Sequence, residues 1–575
     1  MSEQDDDASA LTALCERYWR WLCREFPLTA FMAGSPNDDP VMFRESPADF
    51  DRRDGEVAAL LQELDAIDIH RLAVAEQATH RLLHRELSDL HANNAVGAHQ
   101  RPWLLPVGPE FNTMFFANMA SVGDAASARR YADRLETLPA FLDDIRANLA
   151  AGSARGFRYP RVVLERSEAN MRSAAGVAAE ASPWYGPFVR SVAAASSVVQ
   201  SEAGRALLVI RERLIPALLE LADQLHALGQ AGRDSIAAID DLLGRESYLH
   251  WTKHFTTTDL TPDEIHTLGW SEVARLEAEI DAVAASAGYP GDIASYRRFL
   301  TSDPQFVATS AEQLRERVES LAKRIDRQIP AFFGRLPRIT YGVESIPHEL
   351  APRMPPAYAQ PNPGDGSAPG LLWVSSVPSM CPLYMLPSLP LHEGWPGHLM
   401  HLALMQEASD LPSFRRFNAV KYTACLEGWA MYCEGLGEEM HLYQTPHQRF
   451  GRLDMELWRA LRLVADTGIH WKGWSREQAI EAMTSRLSLS HATIEAEVDR
   501  YIALPAQALG YQIGLLKFRE LRTRAERVLG ARFELRAFHD MLMAAGPVTL
   551  PVLGDTVEAW LQGLQKVIEL DQDVA

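Results

Sequence analysis

The chain has 575 residues, 47% of them hydrophobic, and its 76 acidic against 56 basic side chains leave a net charge of −20. That length and apolar content suffice for two to four ordinary domains, while the acidic balance weighs against nucleic acid and anionic membrane as partners. The opening Met1-Ser-Glu-Gln-Asp-Asp-Asp7 lacks the basic-then-apolar order of a secretory leader and no stretch approaches a membrane span, so the expectation is a cytoplasmic protein.

From about residue 8 to 330, alanine, leucine, glutamate and arginine dominate, with apolar positions at helical spacing. Ala203–Leu228 and Ala311–Ile329 are clear cases, and no repeat period is evident. The texture changes near 334. Between Pro337 and Pro390 lie 12 of the 34 prolines, with loop signals such as Pro363-Gly-Asp-Gly366. Only short strands fit there, at Arg338–Val343 and Leu371–Ser376. After Leu391 helices resume to the C-terminus, with stops near Thr445-Pro446 and Gly546-Pro547. The expected organisation is a helical N-terminal region over residues 1–333 and a C-terminal region over residues 334–575, forming one compact, mainly α unit with a cleft.

The C-terminal region carries the chemistry. Residues 392–398 read His-Glu-Gly-Trp-Pro-Gly-His, and after 28 residues comes Glu427-Gly-Trp-Ala-Met-Tyr-Cys-Glu434. Zinc takes imidazole nitrogen and carboxylate oxygen, and a catalytic site uses three protein ligands and keeps one position for water. His392, His398 and Glu427 are the expected ligands, with Glu393 as the base that takes the water's proton.

The spacing departs from H-E-x-x-H, whose histidines share one helical face. Six residues apart, His392 and His398 would point roughly 120° apart on a regular helix. Pro396 and Gly397 offer a remedy. Proline removes a backbone donor and glycine widens the accessible angles, so a local bulge returns His398 to the face of His392. His401, about one turn beyond His398, competes as a ligand, but the bulge residues lead directly into His398.

Glu427 and Glu434 lie seven apart and share a helical face, in a segment too apolar to be wholly exposed. Buried carboxylates need a cation or a donor, and Glu434 is placed to orient a ligand from behind. Cysteines 15, 23, 381, 425 and 433 form no C-x-x-C pair, and their odd number points to reduced thiols. Cys425 and Cys433, eight apart, read as core positions.

With these residues in place, the chain resembles the bacterial domain of unknown function 885, whose members carry a His-Glu-x-x-Pro-Gly-His core and look like zincin metallopeptidases. The likeness extends to Asp365-Gly-Ser-Ala-Pro-Gly370, Glu427-Gly-Trp-Ala430, Asp466-Thr-Gly-Ile-His470, Arg500-Tyr-Ile-Ala-Leu-Pro-Ala-Gln-Ala508 with Tyr511, and Phe538-His-Asp540. Pro27 with Gly34 extends it towards the N-terminus. Two positions depart. Leu399 stands where many relatives have a second histidine, and Ala506 where many have glycine.

The resemblance implies a large helical zincin-like fold with a short strand element before the metal-binding helix, and peptide-bond hydrolysis. It nominates Tyr511, His470 and Arg500 as donors to the tetrahedral oxyanion, with Tyr511 preferred because a phenol donates without burying another charge. By analogy with zincins, Leu371–Ser376 is expected as an edge strand that pairs with an extended substrate; a structural hairpin strand fits as well.

The expected function is therefore a zinc-dependent hydrolase of short peptides, in which Glu393 moves the proton from water to the leaving amine. A metal-dependent amide hydrolase or lyase acting on a small metabolite is the first alternative, and a non-catalytic binding protein the second. Ser320-Leu-Ala-Lys323 matches S-x-x-K without its companion motifs, and there is no G-x-S-x-G elbow or phosphate loop.

Overall fold

The computed structural model describes residues 3–34, 44–106, 108–348, 351, 354–418 and 421–574. Most of these residues are helical, and strand is confined to one three-stranded sheet. The mainly α expectation holds. Two compact units are present, one of Met1–Tyr248 with Gly473–Arg476 and Ala496–Pro505, the other of Leu249–Lys472, Glu477–Glu495 and Ala506–Ala575. The change of texture near 334 falls inside the second unit. Among the described residues, no helix is long and apolar enough to cross a membrane.

Long helices build the first unit. Ala125–Arg155 starts on Asp124, whose side chain accepts from the Ser127 N–H at 2.7 Å, and stops at Gly156 with φ 112°. Along it Ala128, Tyr131, Leu135, Leu138, Leu142, Ile145 and Leu149 are buried at three- and four-residue intervals, a single apolar stripe. The run expected at Ala203–Leu228 is continuous but not uniform. α-Helices Ser197–Val209 and Ile215–Gln230 are joined by a π-helical turn at Ile210–Leu214, where Ile215 N–H reaches back to Ile210. Pro216 follows; lacking an N–H, it cannot continue the ordinary ladder, and the register slips just before it.

In the second unit, α1 (Pro262–Ser286) packs along α6 (Pro446–His470), and α5 (Thr423–Glu439) packs along α7 (Gly510–Leu529). α2 (Ala311–Phe332) begins on Ser310, whose hydroxyl accepts from Gln313 N–H at 3.1 Å. It buries Leu314, Val318, Leu321, Ile325 and Ile329 along one face. Ser320 and Lys323 lie on the exposed side, with Lys323 paired to Asp326 at 2.9 Å. Both expected stops are real. Thr445 caps α6 through Gln448 N–H, and α8 (Leu535–Ala545) ends at Gly546 with φ 66°.

The sheet consists of β1 (Tyr341–Ser345), β2 (Ala357–Gln360) and β3 (Gly370–Val374) in the order β1-β3-β2. β3 runs parallel to β1 and antiparallel to β2. The strands expected at 338–343 and 371–376 are thus present within a few residues, and β2 is additional. The edge-strand expectation is overturned: β3 has neighbours on both sides, so its backbone groups are spent within the sheet. Leu372 and Val374 on β3 pack with Leu314, Val318 and Leu321 of α2 and with Leu386, Leu389 and Leu399. Each fully buried leucine there contributes ~1.5–3 kcal/mol. This core fixes the segments on either side of the His-Glu motif.

Candidate metal centre

The first two histidines come from two helices rather than one bulged helix. α3 (Ser388–Glu393) ends just after His392, a turn runs through Gly394–Gly397, and α4 (His398–Glu407) begins at His398. Two devices hold the turn. Trp429 of α5 donates its indole N–H to the Pro396 carbonyl at 2.9 Å. Gly397 lies so close to the His392 carbonyl oxygen that any side chain would collide with it. The reversal achieves what a bulge was expected to do: the rings of His392 and His398 stand 4.8 Å apart at 87°.

Glu427 reaches the pair from α5. Its Oε2 lies 3.3 Å from His392 Nε2 and 3.5 Å from His398 Nε2. The ligand atoms of His392, His398 and Glu427 all fall within 4.8 Å of one another. Glu427 is set by a close helix crossing. Gly428 and Gly514 meet backbone to backbone between α5 and α7, and a Cβ on either would strike the opposite helix.

On the far side of the His392 ring, Nδ1 donates to Glu434 Oε1 at 2.8 Å. A carboxylate can only accept, so Nδ1 carries a proton, and Nε2 is turned to Glu427. Tyr443 adds a hydrogen bond from its hydroxyl to the Glu434 carbonyl at 2.8 Å. Burial opposes charge on His392, yet Glu427 and Glu434 hold its pKa up at about 10. Glu427 likewise overcomes burial, and the two imidazoles keep its carboxyl well below the usual range. The surroundings therefore favour a cation at this spot. Two imidazole nitrogens and a carboxylate oxygen are also the donor set of a three-ligand zinc site, and the residues fit such an ion.

Glu393, half-buried, has its pKa raised chiefly by burial, with the nearby histidines and Arg459 opposing. His401 is excluded from the cluster. It is 1% exposed, packs against Trp429 at 5.8 Å, and burial pushes its pKa down to about 3.

The three donors nominated by resemblance sit on different elements. Tyr511 on α7 lays its ring against the Arg462 guanidinium at 4.4 Å, and Arg459 is electrostatically coupled to Tyr511, Glu427 and Glu434. His470 is buried at the end of α6, eleven residues past Arg459 and so about 16 Å further along the helix axis. Arg500 belongs to the first unit, where it pairs with Glu497 at 3.2 Å. Other shared motifs have structural tasks. Asp540 accepts from the N–H groups of Gly334 and Arg335 at 2.8 and 3.0 Å, and His539 bonds the Tyr432 hydroxyl at 2.9 Å. Asp466 accepts from Ala506 N–H at 3.0 and 3.1 Å, and Ala506 has φ 69°. Glycine adopts that left-handed angle more readily than alanine.

Arg459 and Arg462 escaped the sequence reading. Both are buried on α6 and lie over the Trp458 ring at 4.8 and 4.6 Å. Their signal was available: two arginines in an otherwise apolar stretch, Leu457–Ala465.

Residues 27–557 match the family described as bacterial protein of unknown function, DUF885. A crystal structure described as that of a candidate lipoprotein from Colwellia psychrerythraea is 26% identical, covers 98% of this chain and 100% of its own, and superposes with a TM-score of 0.89. A candidate lipoprotein of unknown function from Shewanella oneidensis is 16% identical, with 95% and 99% coverage and a TM-score of 0.73, a likeness of fold. No curated protein matches.

Proposed function

The chain belongs to the bacterial protein family of unknown function DUF885, and on that footing we propose that it is a zinc-dependent hydrolase whose substrates are short peptides. The observation that carries this reading is the convergence of His392, His398 and Glu427 within 4.8 Å, with Glu434 bonded behind His392. That is the ligand count and outer support of a catalytic rather than a closed structural site.

When bound, the ion would supply Lewis acidity, lowering the pKa of a water and polarising a carbonyl. The chain's own groups do the rest. Glu393 takes a proton from the attacking water and delivers it to the leaving amine. Glu434 keeps His392 in the tautomer that presents Nε2. Tyr511 remains the preferred donor to the developing oxyanion, since Arg459 ties it electrostatically to the ligand cluster.

Metal content by mass spectrometry, on protein purified without added metal, tests the reading. One zinc per chain is expected in the wild type and none in His398→Ala. Wild-type protein that carries no metal and takes up none from added zinc would overturn it. A panel of peptides and acylated amines then separates a peptidase from another amide hydrolase.

A further inference from the structure

Beside the ligand cluster lies a pair of buried guanidiniums that the hydrolytic chemistry above does not use. Arg459 and Arg462 are 7% and 3% exposed, both over the indole of Trp458, and Tyr511 covers Arg462. Two like charges in so little solvent repel each other. Burial lowers the Arg459 pKa, Glu434 opposes that, and Arg462 lowers it further.

Arg459 is also incompletely satisfied. One of its terminal nitrogens donates to the Met455 carbonyl at 3.1 Å, and another stands 4.0 Å from Glu434 Oε1. That oxygen already accepts from His392 at 2.8 Å. The Arg459 Nε–H is buried with no hydrogen-bond partner among the described residues. A charged donor left unpaired in the interior is costly, and such a group in a native fold calls for an explanation.

The position supplies one. Through the shared Glu434 oxygen, the Arg459 guanidinium lies within about 7 Å of His392 Nδ1. Glu393, Glu427 and Tyr511, all coupled to Arg459, are only part-buried, so solvent reaches the same neighbourhood. Planar guanidinium forks match carboxylates in shape and charge.

We infer that Arg459, with Arg462 beside it, forms a carboxylate-recognition subsite adjoining the ligand cluster, and that the substrate is a short peptide bound through its free C-terminal carboxylate. The guanidinium adjoins the cluster by way of Glu434, so the scissile bond of such a peptide lies close to that carboxylate. The inference rests on the hydrolase reading for the word substrate, but its binding component stands apart and is tested apart.

The experiment is calorimetric titration of trialanine and trialanine amide into zinc-loaded Glu393→Gln protein, which binds without turnover. The free acid is expected to bind at least tenfold tighter than the amide. In the double variant with Arg459→Met the ratio falls to near one, and Arg459→Lys retains part of it; metal content and melting temperature are recorded for each. If the acid binds no tighter than the amide, or fails to bind, the subsite is overturned. Should the Arg459 variants misfold, the acid-to-amide ratio of the Glu393→Gln protein decides alone. Wild-type protein that discriminates acid from amide yet cleaves no member of the peptide and acylated-amine panel would sink the hydrolase reading and leave the subsite standing.

Discussion

Two acidic centres on neighbouring helices of the second unit, one buried and one part-buried, make opposite use of the same residue type. Glu456 on α6 is 4% exposed and is enclosed by Arg275 at 2.6 Å, Arg519 at 2.6 and 2.9 Å, and Arg452 at 3.0 Å. Burial would raise its pKa, but these guanidiniums bring it down to about 2. Glu427 on α5 has two imidazoles instead, at 3.3 and 3.5 Å. The first centre carries its own permanent cations and is complete. The second gathers two imidazoles and a carboxylate around a shared point, and on the proposed reading it takes its cation from outside. On that reading a carboxylate is structural or functional according to whether its permanent countercharge is built into the chain.

The largest effect expected is on turnover at the open centre. Glu393→Gln should lower kcat by about 10²–10⁴-fold while zinc content stays at one per chain; loss of zinc with activity would make Glu393 a ligand instead. Next in size is the closed centre. Glu456→Ala leaves three part-exposed guanidiniums without their shared buried partner and should cost on the order of 2–3 kcal/mol, read from denaturant unfolding, with zinc content unchanged. Because Glu456 titrates lower folded than unfolded, its contribution is complete above about pH 4.5 and fades as pH falls towards 2. The stability gap between wild type and Glu456→Gln should narrow over that range, and a gap that stayed constant with pH would contradict the assigned pKa.

Smaller in effect, Glu434→Ala should weaken zinc by about 10–100-fold in competition with a chelator, because His392 loses the partner that orients it. An unchanged affinity would reduce Glu434 to packing. The smallest effect is at Ala506, whose φ of 69° glycine adopts more readily. Ala506→Gly should raise stability by up to about 1 kcal/mol, seen as a modest rise in Tm, and a fall would mean that the buried methyl outweighs the backbone strain.

Much of this was legible in the residues. The helix of Ala311–Phe332, the caps at Ser310 and Thr445, and the stop at Gly546 follow from local rules of periodicity and capping. His392, His398, Glu427 and the supporting Glu434 were readable because metal chemistry needs those side chains and a seven-residue spacing keeps two glutamates on one face. The route by which His398 returns was not. A bulged helix and a helix–turn–helix reversal have the same local signature of proline and glycine, and the choice was made by Trp429 and the backbone packing at Gly397.

By itself, then, the sequence determined the mainly helical character and the short strands in the proline-rich segment, because each depends on near neighbours along the chain, and it named the candidate ligands through their side-chain chemistry. Tertiary structure alone decided that β3 is the central strand, that His401 faces Trp429 rather than the ligands, that Arg500 lies in the other unit, and that Arg459 stands beside Glu434. These depend on pairings between segments distant in sequence, and strand order and helix crossings are set by the summed packing of whole surfaces, which no single stretch of residues encodes.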